Sequence, residues 1–309
     1  MRVAFLGTPA FAVPVLITVA QAGHEIVAVI TQPDKRRGRR GAPAPSPVKQ
    51  AAIELGLSVL QFTKIKSEEA SAQLEDLGAD ILLTAAYGQI LSRRNLDAAP
   101  LGVVNAHASL LPGYRGPAPV NWCLINGETR TGVTIMHTDV GVDDGDIILQ
   151  EDTEIRPFET ADQLLERLSH IAGPLMVQAL SQLEAGTAPR IPQNPAQVSR
   201  HPMLQKEDGR LDFSVSAQAV SHRACGVTPW PGAFSELDGQ VWKFMDVRPV
   251  QGKGTPGTVL EANSQSGLVV ACGEGAVRMG QIQIPGKRMM PAADFFRGRT
   301  LLPGARFGA

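Results

Sequence analysis

The sequence predicts an α/β protein, a doubly wound sheet followed by a smaller antiparallel β-barrel domain. Three observations carry this. Apolar runs alternate with amphipathic helical stretches from Val3 to Leu183. A stretch rich in Pro, Gln, Asn and Ser then runs from Gly186 to about Leu204 and reads as a linker. Beyond it, short strand-like pieces fall between Gly and Pro turns, the texture of a small barrel. The expected limits are 1–189 for the first domain, 190–206 for the linker and 207–309 for the second. A length of 309 residues suits two domains, and 43% hydrophobic with 19% charged residues is enough to bury a large core.

Residues 3–6 read as a strand ended by Gly7-Thr8-Pro9. Thr8 suits an N-cap and Pro9 the first helical position, so a helix should run to about residue 22 and close at Gly23. A strand over 26–31 completes a β-α-β unit, the opening of a Rossmann-like sheet. A dinucleotide site does not follow. Only the first glycine of GxGxxG survives in Gly7-Thr8-Pro9-Ala10-Phe11-Ala12, and Pro9 has no N–H to offer a phosphate. Helix 48–55, strand 57–61, helix 67–77 and strand 81–85 continue the alternation, with Ala86-Tyr87-Gly88 at the strand end. After a strand over 147–150, Thr160-x-x-Gln163 has the form of a capping box. It opens a long amphipathic helix bearing Leu164, Leu165, Leu168, Ile171, Leu175, Ala179 and Leu183, which Gly173-Pro174 should kink or split. In the last third a helix is expected over 217–225 and strands over 241–247, 257–261, 267–271 and 276–284.

The net charge of −1 hides an asymmetry: from Asp208 onward 11 basic residues stand against 8 acidic ones, and before it 18 against 22. Such an imbalance is also usual on a solvated surface. The three cysteines, Cys123, Cys225 and Cys272, show neither CxxC nor a Cys/His metal spacing, which fits a reducing cytoplasm. No run reaches the length of a membrane helix, and the N-terminal residues lack the continuous apolar core of a signal peptide.

Chemistry concentrates between Val103 and Asp146. Asn105 and His107 alternate with Ala106 on an apolar strand and therefore share one face. The loop SLLPGYRGPAP follows, too rich in Pro and Gly for a helix. A second strand-like run, 132–136, leads to the turn Asp143-Asp144-Gly145-Asp146. An amide, an imidazole and a carboxylate at neighbouring strand ends suit a reaction that builds charge on a carbonyl oxygen: Asn105 and a protonated His107 donate, and Asp143 orients the ring and keeps it charged. That is a constellation for acyl transfer to an acceptor bringing its own amine. Cys123 lies in a helical run and reads as buried. The acidic turn also reads as a plain solvated turn. It fails as a calcium loop, because counting from Asp139 puts Gly141 at the third position and Gln150 at the twelfth; no metal is expected. A second distinctive segment carries Lys35, Arg36, Arg37, Arg39 and Arg40 ahead of a Pro/Ala stretch. It reads either as a solvated loop or as a phosphate contact at the lip of a site. Tyr87 and Gly88 either cap their strand or line a flat heterocycle.

Asn105-x-His107, Ser109-Leu110-Leu111-Pro112, Tyr114-Arg115-Gly116, Thr131-Gly132-Val133-Thr134 and Val142-Asp143-x-Gly145-Asp146 follow one another in this order. In this the chain resembles the folate-dependent formyltransferases, and the similarity runs from Phe5-Leu6-Gly7-Thr8-Pro9 to the C-terminal region. Within the family it most resembles the members acting on methionyl-tRNA. The resemblance implies a cytoplasmic enzyme of translation initiation that moves a formyl group from 10-formyltetrahydrofolate to the α-amino group of methionyl initiator tRNA. It implies catalytic roles for Asn105, His107 and Asp143. Ser109, Leu110, Leu111 and Pro112, with Tyr87 and Gly88, would lie beside the folate. Arg39, with Lys35, Arg36, Arg37 and Arg40, would meet the tRNA acceptor end, and an OB-like C-terminal domain would help grip the tRNA. The basic residues crowd before and at Arg39-Arg40 instead of continuing past the second glycine, so which arginine dominates stays open. Two alternatives stand beside this reading: a formyltransferase acting on a small amine, such as a nucleotide sugar or purine precursor, and a non-catalytic RNA-binding protein. The basic loop argues against the first, and the Asn105, His107 and Asp143 set against the second.

Overall fold

The computed structural model of the protein describes residues 1–36, 42–301 and 304–308. The chain divides into two compact units. The first comprises Met1–Gly116, Thr131–Thr153 and Leu165–His201; the second comprises Pro117–Arg130, Glu154–Leu164 and Pro202–Ala309.

The chain begins with β1 (Arg2–Gly7), α1 (Ala12–Gln21), β2 (Glu25–Thr31) and a pair of two-residue strands, β3 (Lys35–Arg36) and β4 (Pro43–Ala44). It continues through α2 (Pro47–Glu54), β5 (Val59–Gln61), α3 (Glu68–Asp76), β6 (Ile81–Ala85), α4 (Arg93–Leu96) and β7 (Val103–His107). Then come α5 (Pro119–Ile125), which lies in the second unit, β8 (Arg130–His137), β9 (Ile147–Glu154) and α6 (Ala161–Glu184). The sheet of the first unit runs β5-β2-β1-β6-β7-β8-β9. Its first five strands are parallel and β8 is antiparallel to β7. The parallel strands are wound in both directions from β1, so the order reverses between β1 and β6. Ligand crevices form at such a switch point, outside the carboxyl ends of the strands.

Burial explains why these runs are strands. Five of the six residues of β1 and all five of β6 are buried, as expected of parallel strands covered on both faces. Ala4 and Leu6 of β1 pack with Leu82, Leu74 and Leu96 in one cluster, and alternation turns Val3 and Phe5 to the other face. Two expectations fail for identifiable reasons. Thr8 does not cap α1, which starts at Ala12 after Phe11; its hydroxyl donates instead to the Tyr87 carbonyl at 2.9 Å. And α6 does not split at Pro174 but runs on as one helix. Gly173 serves a close approach: a Cβ there would stand 2.6 Å from Thr18 Oγ1 and 3.2 Å from the Pro14 carbonyl of α1.

The second unit also holds α7 (Ala217–Gly226), β10 (Ala233–Leu237), β11 (Gln240–Val250), β12 (Val259–Asn263), β13 (Gly267–Ala271), β14 (Ala276–Gln283), β15 (Met290–Pro291) and α8 (Ala292–Phe295). Its antiparallel sheet runs β10-β11-β14-β13-β12, with β15 on β14. The expected barrel does not close: among the described residues no ladder joins β10 to β12. Irregular segments satisfy the two edges instead. Leu211 and Gly308 donate backbone N–H groups to Phe234 and Glu236 of β10, and Val259 of β12 donates to Ala305. Inside, the Phe307 ring meets Trp242 at 5.6 Å and Phe244 at 5.5 Å between centroids, both edge to face. Among the described residues no helix is long and apolar enough to cross a membrane.

Ser46 carries two duties in the first unit. Its Oγ accepts the Lys49 N–H at 3.0 Å, capping α2, and hydrogen-bonds Thr31 Oγ1 of β2 at 2.7 Å. Ser46→Ala is expected to lower unfolding free energy by about 1 kcal/mol in urea titrations, the usual cost of a lost N-cap.

Candidate active site

The site is built at the carboxyl end of β7. Asn105 pairs in register with Thr84 of β6 and Met136 of β8, and His107 pairs with Thr134 of β8. Thr84 Oγ1 donates to Asn105 Oδ1 at 2.8 Å, so the Asn105 amide nitrogen is the group left to donate outward. His107 is 7% exposed and lies between two acceptors. Its Nε2 stands 3.1 Å from the Tyr114 carbonyl oxygen, which can only accept, so that nitrogen carries a proton. Its Nδ1 faces Asp143 Oδ1 at 3.6 Å. The other carboxylate oxygen of Asp143 accepts the Gly116 N–H at 2.8 Å. The structure thus brings His107 and Asp143 together and sets Asn105 on the same strand face.

The loop after β7 is fastened from beneath. Thr134 Oγ1 donates to the Ser109 carbonyl at 2.6 Å and accepts the Leu111 N–H at 3.1 Å. Gln150 Nε2 reaches the Leu111 carbonyl at 2.8 Å and Thr134 Oγ1 at 2.9 Å. Ser109 is 1% exposed and donates to the Gly113 carbonyl at 2.8 Å, while Leu111 packs with Met136 and Ile147. Leu110 and Pro112 are half-buried, and the carbonyls of both accept backbone N–H groups, from Gly113 and Ser199. The backbone of 109–112 is therefore largely committed inside the protein.

At the switch point, the Tyr87 ring is 4% exposed and belongs to the core cluster beneath the sheet. Burial pushes its hydroxyl up to about 12, and among the described residues that hydroxyl has no hydrogen-bond partner. What the turn presents is backbone. Gln32 Nε2 donates to the carbonyls of Tyr87 and Gly88 at 3.1 and 3.0 Å, and Lys35 Nζ donates to Gln32 Oε1 at 2.6 Å. The root of the basic segment is thereby tied to the same turn. Lys49 is spent on Asp34, at 2.9 and 2.7 Å from its two oxygens, and these bonds with those of Gln61 hold the Asp34 carboxyl below its ordinary value. Lys35 and Arg36 are exposed on β3; Arg37, Arg39 and Arg40 lie outside the described residues.

Sequence reasoning missed the residues that hold this arrangement. Gln193, from the stretch read as linker, donates to the carbonyls of Asp143 and Gly145 at 2.9 and 2.8 Å. It accepts two bonds from Arg115, at 3.0 and 2.7 Å. Ser199 takes the Tyr114 N–H at 2.8 Å on its hydroxyl, and His201 stacks on the Tyr114 ring at 4.8 Å and 13°. Nothing in a polar, Pro-rich stretch signals such partners. Thr134 could have been found, because it faces His107 once the two strands are set antiparallel. Among the described residues no group of three His, Cys, Asp or Glu side chains could hold a metal ion.

Thr134→Val keeps the shape of the side chain and removes its hydroxyl. It strands a buried N–H at Leu111 and a buried carbonyl at Ser109, each costing about 1–3 kcal/mol. Urea titration should show a loss of about 2 kcal/mol or more, with Val103→Ala as a control for an ordinary packing loss.

Residues 1–180 match the family model described as formyl transferase, and residues 203–300 match that of the formyl transferase C-terminal domain. The methionyl-tRNA formyltransferase of Solibacter usitatus is 47% identical over 311 residues, covering 100% of this chain and 99% of that protein. That of Citrifermentans bemidjiense is 42% identical over 308 residues, covering 100% and 96%. Among solved structures, HypX from Aquifex aeolicus in complex with tetrahydrofolic acid superposes with a TM-score of 0.68 at 18% identity, over 98% of this chain and 49% of HypX. An N-formyltransferase from Helicobacter canadensis, in complex with folinic acid and dTDP-3-aminofucose, has a TM-score of 0.68 at 16% identity, over 90% of this chain and 99% of that one. At such identities the structural likeness speaks for the fold alone.

Proposed function

The chain belongs to the formyl transferase family, and on that premise we propose that it transfers a formyl group from 10-formyltetrahydrofolate to the α-amino group of methionyl initiator tRNA. The observation that carries this is the meeting of His107 and Asp143 beside Asn105 at the end of β7, in a chain matched end to end by relatives named for that activity. The free amine attacks the formyl carbon, and negative charge gathers on the formyl oxygen. The Asn105 NH2, oriented by Thr84, donates to that oxygen. His107 supplies the second donor by exchanging the Tyr114 carbonyl for the formyl oxygen, while Asp143 holds the other ring nitrogen. Catalytic hydrogen bonds commonly tighten in this way only with substrate bound. A proton leaves the attacking nitrogen through water, assisted by Asp143. Collapse then breaks the bond from the formyl carbon to the folate nitrogen, which is protonated as it departs.

In this reading the folate lies against Ser109, Leu110, Leu111 and Pro112. Tyr87 and Gly88 contribute through their backbone, since the Tyr87 ring is buried. Lys35, Arg36, Arg37, Arg39 and Arg40 meet the phosphates of the acceptor end. Catalysis falls to residues 1–189, and residues 207–309, as an OB-like domain, grip the tRNA. A cytoplasmic location accords with this substrate and with Cys123, Cys225 and Cys272 forming no disulfide among the described residues.

His107→Ala, Asp143→Ala and Asn105→Ala are each expected to reduce formylation turnover by at least about a hundredfold, with folate still bound in titrations. Wild-type turnover in a folded, folate-binding His107→Ala protein removes the mechanism. Neutralising the five basic residues from Lys35 to Arg40 should weaken tRNA binding and flatten its decline with salt, because fewer counterions are displaced. Folate affinity should hold. Unchanged tRNA use across a salt series would instead favour a small amine as acceptor.

A further inference from the structure

A small cavity of about 180 Å³ opens in the second unit, away from Asn105, His107 and Asp143 in the chain. Its lining includes Phe158, Gln163, Cys225, Asp246, Arg248 and Gln281. Its central pair is unusual for a surface. Phe158 is 39% exposed and holds φ of 61°, a left-handed conformation that a bulky side chain rarely adopts. The Arg248 guanidinium lies over its ring, 4.0 Å from the centroid. Arg248 is itself fixed, since its Nε donates to Asp246 Oδ1 at 2.5 Å. Asp246 in turn needs Gly280, where a Cβ would come within 2.3 Å of its Oδ2. Glycine, carboxylate, guanidinium and ring thus form a wired stack.

The charges around this stack do not balance. Arg248 and Arg278 are direct cross-strand partners on β11 and β14, a placement that like charges disfavour. Asp246 compensates Arg248, but among the described residues no carboxylate pairs with the exposed Arg278. A cavity of this volume corresponds to about six waters at their liquid volume, the scale of one planar ring system. Gln163 spends its carbonyl on the Thr160 N–H at 3.1 Å, leaving its NH2 for the edge of a ligand. Aromatic and guanidinium planes, a spare amide and an uncompensated arginine are the parts by which proteins hold an unstacked base and its phosphate.

We propose that this cavity receives one unpaired nucleotide of the tRNA substrate, its base against Phe158 and Arg248 and its phosphate at Arg278. The assignment rests on the reading that tRNA is the substrate. It gives the second unit a specific contact in place of a diffuse basic surface.

The test uses the full chain: wild type, Phe158→Asn, Phe158→Tyr and Arg278→Gln. Each is titrated with methionyl initiator tRNA across a salt series, assayed for formylation and followed by thermal unfolding. Phe158→Asn should weaken tRNA binding about tenfold, the scale of one lost base stack, and Phe158→Tyr should retain it. Asparagine tolerates the left-handed backbone better than phenylalanine, so the Asn variant should unfold no lower than wild type. A merely structural ring would show the reverse, lower stability with unchanged binding. Arg278→Gln should weaken binding and reduce the salt slope by about 1. Cys225 offers a probe without mutation: its thiol, pushed up to about 11 by burial, lies in the cavity wall and should be alkylated more slowly when tRNA is bound. Buried Cys123 and Cys272 serve as references. If wild type formylates the tRNA while Phe158→Asn binds it equally and Cys225 is unprotected, the cavity assignment alone is overturned. If wild type neither binds nor formylates the tRNA, the substrate reading fails and this assignment with it; protection of Cys225 by free AMP would then mark a mononucleotide site.

Discussion

Thr134 Oγ1 satisfies groups on both sides of the candidate site: it donates to the Ser109 carbonyl and accepts from Leu111 N–H and from Gln150. The hydroxyl is wholly buried, so the Ser109 carbonyl and the Leu111 N–H would otherwise be stranded away from water. Its position follows from the antiparallel pairing of β7 and β8, which sets Thr134 opposite His107. Had β8 continued the parallel order of the first five strands, that register would not exist. The reversal of direction between β7 and β8 therefore places the loop that carries 109–112, and the loop places Tyr114 and Gly116 against His107 and Asp143.

The same logic gives the polar stretch near residue 193 its work. A turn such as 138–146 exposes many backbone groups, and a carboxylate on it that is to face His107 needs a fixed path of chain. Gln193 supplies one by bridging two carbonyls of that turn while Arg115, 7% exposed, grips its other end. The loop after β7 and the turn after β8 are in this way held to a common third segment. Gly132 and Gly145 show how close β8, β9 and the turn between them run: a Cβ would stand 2.1 Å from the Glu151 carbonyl at one and 1.9 Å from that of His137 at the other.

Strands were legible because burial on both faces leaves a simple mark, a short apolar run between turn residues. Asn105 and His107 were legible because alternation on such a strand fixes their common face, and Asp143 because it sits in a turn that the motif order singles out. Thr8 misled, since its neighbours fit a helix start while its hydroxyl was claimed by Tyr87, far along the chain. The open sheet of the second unit was illegible for a related reason. Whether a barrel closes depends on what covers its edges, and the covering residues, Leu211, Ala305 and Gly308, lie in segments without strand character. Gln193 and Ser199 act through tertiary partners that no local pattern announces.

The bond that aims Asp143 comes from a main-chain N–H, that of Gly116. A side-chain donor can be deleted by most substitutions at its position; a main-chain donor survives all of them but proline. Gly116, at φ of 114° with a Cβ that would stand 2.3 Å from the His201 carbonyl, is closed to other residues on steric grounds instead. Mutational drift here is thus filtered by shape before chemistry is ever tested. A library built to alter acceptor choice can randomise side chains around the site while the carboxylate keeps its aim, provided position 116 is left as glycine.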